Sequence, residues 1–124
     1  MEILLSNASE KPIYEQITAQ IKRQITSGVL HEGQALPSIR ALARDLGISV
    51  ITTKRAYQEL ERDGFIETVS GKGCFVARRN SALWREEALR QVEEPLRRAA
   101  ECARAGGISY EEYIELAQMV WEEA

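Results

Sequence analysis

Four cations and two hydroxyls stand close together in the middle of this chain. Arg40 and Arg44 lie four residues apart, and Ser49, Thr52, Lys54 and Arg55 follow shortly after. Arginine and lysine neutralise phosphate and can also donate to the O6 and N7 of a guanine, while serine and threonine hydroxyls donate to phosphate oxygens. Val50 and Ile51 sit among them and could pack on a thymine methyl. The chemistry open to such a set is the binding of a polyanion, not bond breaking, because no nucleophile, base and orienting group occur in any motif order. His31 is the single histidine, in a turn-like stretch beside Glu32 and Gly33, so a multi-histidine metal site within one chain is excluded. The pairs Glu93-Glu94 and Glu111-Glu112 are explained by exposed helix faces. Cys74 and Cys102 form no CxxC or Cys/His cluster, so no zinc site, other metal or cofactor is expected, and both read as buried thiols.

Positioning those side chains needs short helices and tight turns. Pro12 suits a first helical turn, and Ile13, Ile17, Ile21 and Ile25 recur every four residues until Ser27-Gly28. Residues 29–37 are too irregular for a helix. Ser38 can cap a second helix with Ile39, Leu42, Ala43 and Leu46 on one face, and Gly47 closes it as a left-handed cap would. Ser49 can cap a third helix, with Thr53, Ala56, Tyr57 and Leu60 turned inward and Ile51, Lys54, Arg55 and Gln58 outward, ending at Asp63-Gly64. Two strand-like runs, 65–69 and 74–76, flank turn material at Ser70-Gly71-Lys72-Gly73 and predict a hairpin. Two helices joined by a tight glycine turn, followed by a hairpin, make a winged helix-turn-helix with the third helix as reader.

Composition bounds the rest. The chain has 124 residues, 44% apolar and 28% charged, which suits a globular protein of one ordinary domain or two very small ones. No apolar run could span a bilayer, the amino terminus lacks the pattern of an export signal, and a cytoplasmic location is expected. The net charge of −3 is unevenly spread: residues 1–79 carry 11 Lys and Arg against 9 Asp and Glu, whereas residues 80–124 carry 5 against 10. Phosphate would be repelled by the second part, so only the first is a candidate for touching nucleic acid. Polar residues 77–81 mark the change, and the expected domains are 1–78 and 79–124.

In the second part a helix over about 82–105 carries Leu83, Trp84, Leu89, Val92, Leu96, Ala99 and Ala103 on one face, with a kink expected at Pro95 and an end at Gly106-Gly107. Ser109 and Glu112 have capping-box spacing for a last helix with a stripe of Tyr110, Tyr113, Ile114, Ala117, Val120 and Trp121. Two such helices cannot bury much on their own, and a symmetric second chain is the simplest source of cover. Trp84, Leu89, Val92, Leu96, Tyr113, Ala117, Val120 and Trp121 are the candidate dimer contacts, with packing inside the chain as the rival. The aromatic residues could instead line a small effector pocket.

Over residues 9–77 the sequence resembles the amino-terminal half of the GntR family of bacterial transcription regulators. The resemblance is carried by Pro12-Ile13-Tyr14-Glu15-Gln16-Ile17, by Gly33 to Ala43 with Leu36-Pro37-Ser38-Ile39-Arg40 at its centre, by Ser49 to Tyr57, by Leu60-Glu61-Arg62-Asp63-Gly64-Phe65-Ile66 and by Gly71-Lys72-Gly73-Cys74-Phe75-Val76. The short tail is similar to that of the YtrA-type subfamily, whose helical carboxy-terminal region dimerises. The resemblance implies a mainly α fold with a small β-hairpin, and a homodimeric, DNA-binding factor without enzymatic activity. Most often such a factor is a repressor acting on a pseudo-palindromic operator, in many cases near transport genes. An effector could act on it, but nothing names one; an architectural or protein-interaction module is the alternative.

By the same pattern Arg40 matches a DNA-contacting arginine, Ser49 and Thr52 would bond phosphate, and Lys54 replaces a frequent arginine. Val50 stands where some members have arginine, which leaves the base preference open. Gly71, Lys72 and Gly73 would approach the minor groove. Ser38 and Arg44 join the set beside Arg40, and Tyr14 could donate to phosphate or simply pack.

Overall fold

The computed structural model describes residues 1–78 and 81–124. Its elements are α1 (Ile13–Thr26), α2 (Ile39–Leu46), α3 (Val50–Arg62), β1 (Ile66–Val69), β2 (Gly73–Val76), α4 (Ser81–Ala105) and α5 (Tyr110–Glu123). They form two compact units, Met1–Ala88 and Leu89–Ala124, with α4 contributing to both. The architecture is a mainly helical winged helix-turn-helix with a two-stranded sheet, as the sequence leads one to expect. Arg79 and Asn80, at the composition change, lie outside the described residues. The first unit continues past that point to Ala88 because Leu83 and Trp84 pack into its core.

The turn between α2 and α3 is set by local bonds. Ser38 Oγ accepts from the Ala41 amide at 3.1 Å, and Ser49 Oγ accepts from the Thr52 amide at 3.1 Å. Each cap satisfies a donor that a helix start would otherwise leave unpaired. Between them Gly47 takes φ 66°, the left-handed region that a residue with a Cβ avoids, and redirects the chain within one residue.

Ile17, Ile21 and Ile25 from α1, Leu42 from α2, and Ala56, Tyr57 and Leu60 from α3 meet in one core with Phe65, Ile66 and Val76. Thr53 is fully buried, but its hydroxyl donates to Ser49 O at 3.1 Å and so remains satisfied. Tyr57 donates its phenolic hydrogen to Pro37 O at 2.8 Å. Burial, with Cys74 as the lesser contributor, pushes that phenol well above its ordinary pKa, so it stays a donor.

β1 and β2 pair antiparallel from Ile66↔Val76 to Val69↔Gly73. The irregular stretch before α2 extends this wing, since the Gly33 amide donates to Val76 O, Val76 to Gln34 O and Leu36 to Cys74 O, each at 2.9 Å. The wing is therefore bonded to the segment that leads into the helix-turn-helix.

Two features were not foreseen. Met1 to Ser6 lies along α1, held by a glutamine ladder. Gln16 and Ser6 exchange two bonds of 2.9 Å; Gln20 accepts from the Leu4 amide at 2.9 Å and donates to Leu4 O at 2.6 Å; Gln24 donates to Glu2 O at 2.7 Å. The periods match, because two residues of strand advance about 6.6 Å and four of helix about 6.0 Å. Ile3 enters the core beside this ladder. The second feature is a charged node. Lys22 Nζ lies 3.0 Å from Asp63 Oδ2, 3.9 Å from Glu87 Oε2 and 5.3 Å from the Phe65 ring centre.

Trp84 corrects an expectation. The apolar stripe of its helix makes it a candidate dimer contact, yet only 8% of it is exposed and its ring stacks on Phe65 with centres 6.1 Å apart. Helical periodicity shows that a face is apolar without showing what covers it, and here the rival, packing within the chain, covers it. Cys102 is likewise exposed rather than buried, and Cys74 is half-buried. In the second unit the Ser109–Glu112 capping box forms and Pro95 lies inside α4, but no residue of α5 is buried. Leu89, Val92, Leu96, Val120 and Trp121 are all at least half exposed.

The node predicts an acid response. Burial alone would raise the Asp63 carboxyl, but Lys22 and then Arg62 bond its charged form and hold it below the usual 3.8. A carboxyl lowered in the folded state contributes stability at pH values above its unfolded pKa, and that contribution disappears as pH falls through the folded value. Urea unfolding of the Asp63→Asn variant from pH 7 to pH 2 is expected to give a shallower acid decline than the parent chain.

Candidate nucleic-acid interface

The polar face of α3 opposes the face that packs on α1 and α2, and it presents its first half most openly. Val50 is 46% exposed and Ile51 82%. Lys54 and Gln58 follow on the exposed side. Arg40 on α2 is also exposed, and among the described residues neither Arg40 nor Lys54 has a carboxylate partner. Such cations are free to exchange small counterions for phosphate, which is the main source of affinity for nucleic acid. Arg44 is exposed as well, with Asp45 at 3.9 Å. That contact joins two well-solvated chain neighbours and leaves the guanidinium available.

Arg55 is held differently from the free cation that the helix pattern suggests. Its guanidinium lies 3.8 Å from the centre of the Tyr14 ring and 3.9 Å from Glu59 Oε1. A planar guanidinium stacked on an aromatic face keeps its edge donors for a second partner while losing conformational freedom. Tyr14 is half-buried beneath it, and its hydroxyl donates to Glu15 Oε1 at 3.3 Å. Packing is thus the larger role of Tyr14, and the pair fastens the start of α1 beside the exposed half of α3.

The hydroxyls divide in the same way. Ser38 and Ser49 are occupied as caps, and Ser49 Oγ also donates to Thr52 Oγ1 at 2.8 Å. Thr52 therefore accepts from Ser49 and keeps its own hydrogen for an outside acceptor. At the wing tip the Lys72 amide donates to Val69 O at 2.9 Å, closing a turn in which Gly71 has φ 76°; Gly73 follows with φ 110°. Both glycines serve backbone geometry, and Lys72 projects from an exposed tip. Lys11 is a further exposed cation one turn before Tyr14, and its carbonyl accepts from Gln16 at 2.9 Å.

Among the described residues no group of three or more His, Cys, Asp or Glu could hold a metal ion, and no helix is long and apolar enough to cross a membrane.

The profile of the bacterial regulatory proteins of the gntR family matches residues 13–76, from the first turn of α1 to the last residue of the wing. This chain belongs to the GntR family. It is 34% identical over 113 residues to the HTH-type transcriptional repressor YtrA of Bacillus subtilis, covering 91% of this chain and 87% of that protein. A transcriptional regulator from Oenococcus oeni shares the fold over 94% of this chain and 97% of its own, with a TM-score of 0.76 at 26% identity. The DNA-binding domain of AraR, solved in complex with operator ORX1, covers 62% of this chain and 96% of its own, with a TM-score of 0.55 at 29% identity. The protein is accordingly a DNA-binding transcription regulator of YtrA type, in a class that does not work as enzymes.

Two substitutions separate the roles this face makes available. Lys54→Ala is expected to lower affinity for a preferred duplex by about 1–3 kcal/mol and to relax the choice of base at one position. Arg40→Ala should weaken binding nearly uniformly across sequences and reduce the salt slope by about one. Fluorescence anisotropy on single-base duplex variants at several salt concentrations reads both effects.

Proposed function

We propose that this protein is a homodimeric repressor that reads a pseudo-palindromic operator through the first half of α3. The observation that carries the reading is Ile51, an aliphatic side chain 82% exposed on the helix that also presents Lys54. Apolar area left in water is stabilised by transfer to an apolar partner, and a thymine methyl in the major groove is such a partner beside phosphates that cations can neutralise. Val50 and Ile51 then read methyl groups, and Lys54 reads guanine. Arg40, Arg44, Thr52 and Arg55 on its Tyr14 platform bind phosphate, with Ser38 and Ser49 as caps that orient them. Gly71, Lys72 and Gly73 bring the wing to the minor groove. The operator complex of the similar AraR DNA-binding domain supports contact between this domain and DNA.

In this reading residues 1–78 contain the DNA-facing groups and residues 79–124 the dimerising part. Support comes from the apolar side chains that the second unit leaves uncovered, Leu89, Val92, Leu96, Val120 and Trp121; the half-buried Tyr113, whose hydroxyl donates to Leu96 O, and the exposed Ala117 complete the proposed contact set. A patch of this kind on a small helical unit is stabilised by a second copy. Its surplus of acidic residues keeps it away from phosphate, so dimerisation and DNA binding use opposite charge environments. The repressor name of the similar YtrA supports the sign of regulation. Transport genes near its own remain the expected targets, and the cytoplasm the expected location.

Selection of bound duplexes from a random pool tests the reading. Recovery of an inverted repeat with half-sites about one helical turn apart, or a multiple of it, is expected. The double variant Leu96→Asp, Val120→Asp should sediment as a monomer and lose affinity for the full repeat while keeping that for a half-site. Recovery of no motif would favour an architectural or protein-interaction module instead.

A further inference from the structure

Residues 6–11, between the amino-terminal arm and α1, form a loop held by one buried side chain. Gln16 is 8% exposed. Its Oε1 accepts from the Ser6 amide, and its Nε2 donates to both Ser6 O and Lys11 O, each at 2.9 Å. One side-chain amide therefore ties the two ends of the loop together. Two hydroxyls shape the turn between them: Ser6 Oγ accepts from the Ala8 amide and Ser9 Oγ from the Lys11 amide, both at 3.2 Å. Three bonds converging on a buried glutamine fix the course of the loop, because moving it away would leave that glutamine desolvated and unpaired.

The loop ends in Lys11, the only Lys or Arg among the first 21 residues. It is exposed, and among the described residues no carboxylate forms an ion pair with it. Glu15, the acid on the first turn of α1, instead accepts from the Tyr14 hydroxyl at 3.3 Å. Three residues of chain span no more than about 11 Å, so Lys11 lies within that distance of Tyr14. Tyr14 in turn carries the Arg55 guanidinium of α3, 3.8 Å from its ring centre. The loop thus places an unpaired cation near the flank of α3 that Arg55 occupies. Ser9, having accepted from the Lys11 amide, keeps its own hydrogen for an outside acceptor. We propose that Lys11, with the Ser9 hydroxyl beside it, binds a backbone phosphate of DNA next to the one that Arg55 binds, and that Gln16 is the positioning residue that holds the loop for this contact. The inference rests on α3 being the DNA-facing helix. A backbone that is already fixed loses little freedom when its lysine engages phosphate, which is the advantage of tying this loop down.

The experiment measures the affinity of the full chain for a labelled duplex by fluorescence anisotropy across a series of salt concentrations. Lys11→Gln, at an exposed position that leaves the core intact, is expected to reduce the slope of log affinity against log salt by about 0.9, the value of one phosphate contact. Lys11→Arg should keep the parent slope. Gln16→Met should reduce the slope by the same amount, and combining it with Lys11→Gln should reduce it no further; a Gln16 that only stabilised the fold would lower Tm and leave the slope alone. One methylphosphonate linkage, moved along each strand, should find a phosphate whose neutralisation weakens the parent chain but not Lys11→Gln. A phosphate contact does not depend on sequence, so the slope falls equally on a selected repeat and on a shuffled duplex. Equal binding of those two duplexes would therefore count against base reading by α3 and leave this test intact. An unchanged slope in Lys11→Gln would overturn the phosphate contact, and an unchanged slope in Gln16→Met would overturn the positioning role.

Discussion

Phe65 joins every part of the first unit. It is 1% exposed, its amide donates to Leu60 O at the end of α3, and its carbonyl accepts from the Ala77 amide where the wing returns. Trp84 of α4 stacks on its ring, and Lys22 of α1 approaches that ring while pairing with Asp63. Gly64 just before it has φ 82° and lies so close to Leu83 that an added Cβ would sit 2.9 Å from Leu83 Cδ2. The angle between the reading helix and its wing therefore depends on one aromatic residue and the glycine that lets it turn inward.

A protein of net charge −3 nevertheless holds a cationic face. Acidic residues are spent near the far end of α3 and on the tail: Asp63 and Glu87 hold Lys22, and Glu59 flanks Arg55. Arg40 and Lys54 are left without acidic partners among the described residues. Local segregation of charge, not the total, decides which surface can approach phosphate. The stack of Arg55 on Tyr14 adds rigidity where the start of α1 lies beside α3.

Much of this was legible in the sequence because its determinants are short in range. Ser38, Gly47, Ser49 and the Ser109–Glu112 pair act within a few residues of themselves, so caps and turns could be placed by spacing alone, and the four-residue isoleucine repeat marked the buried face of α1. Contacts between distant segments were not legible in this way. Nothing in the periodicity of α4 distinguishes Trp84, which packs on Phe65, from Leu89, which is 56% exposed. The amino-terminal arm escaped notice because glutamine side chains bind its main chain, which leaves no pattern in the arm beyond Ile3. Gln16, Gln20 and Gln24 at four-residue spacing were the available sign. The stacking of Arg55 on Tyr14 likewise crosses two helices, and a helix wheel places Arg55 outward without showing what lies beneath it.

The account turns on α3 reading base sequence, not only backbone charge. The direct measurement compares, by fluorescence anisotropy, a labelled duplex carrying a selected inverted repeat with a shuffled duplex of the same composition, at a low and a high salt concentration. A preference for the repeat beyond about a hundredfold that persists at both concentrations is the predicted result, because base contacts survive when counterion release is weakened. Equal affinity for the two duplexes, falling steeply and in parallel with salt, would contradict it.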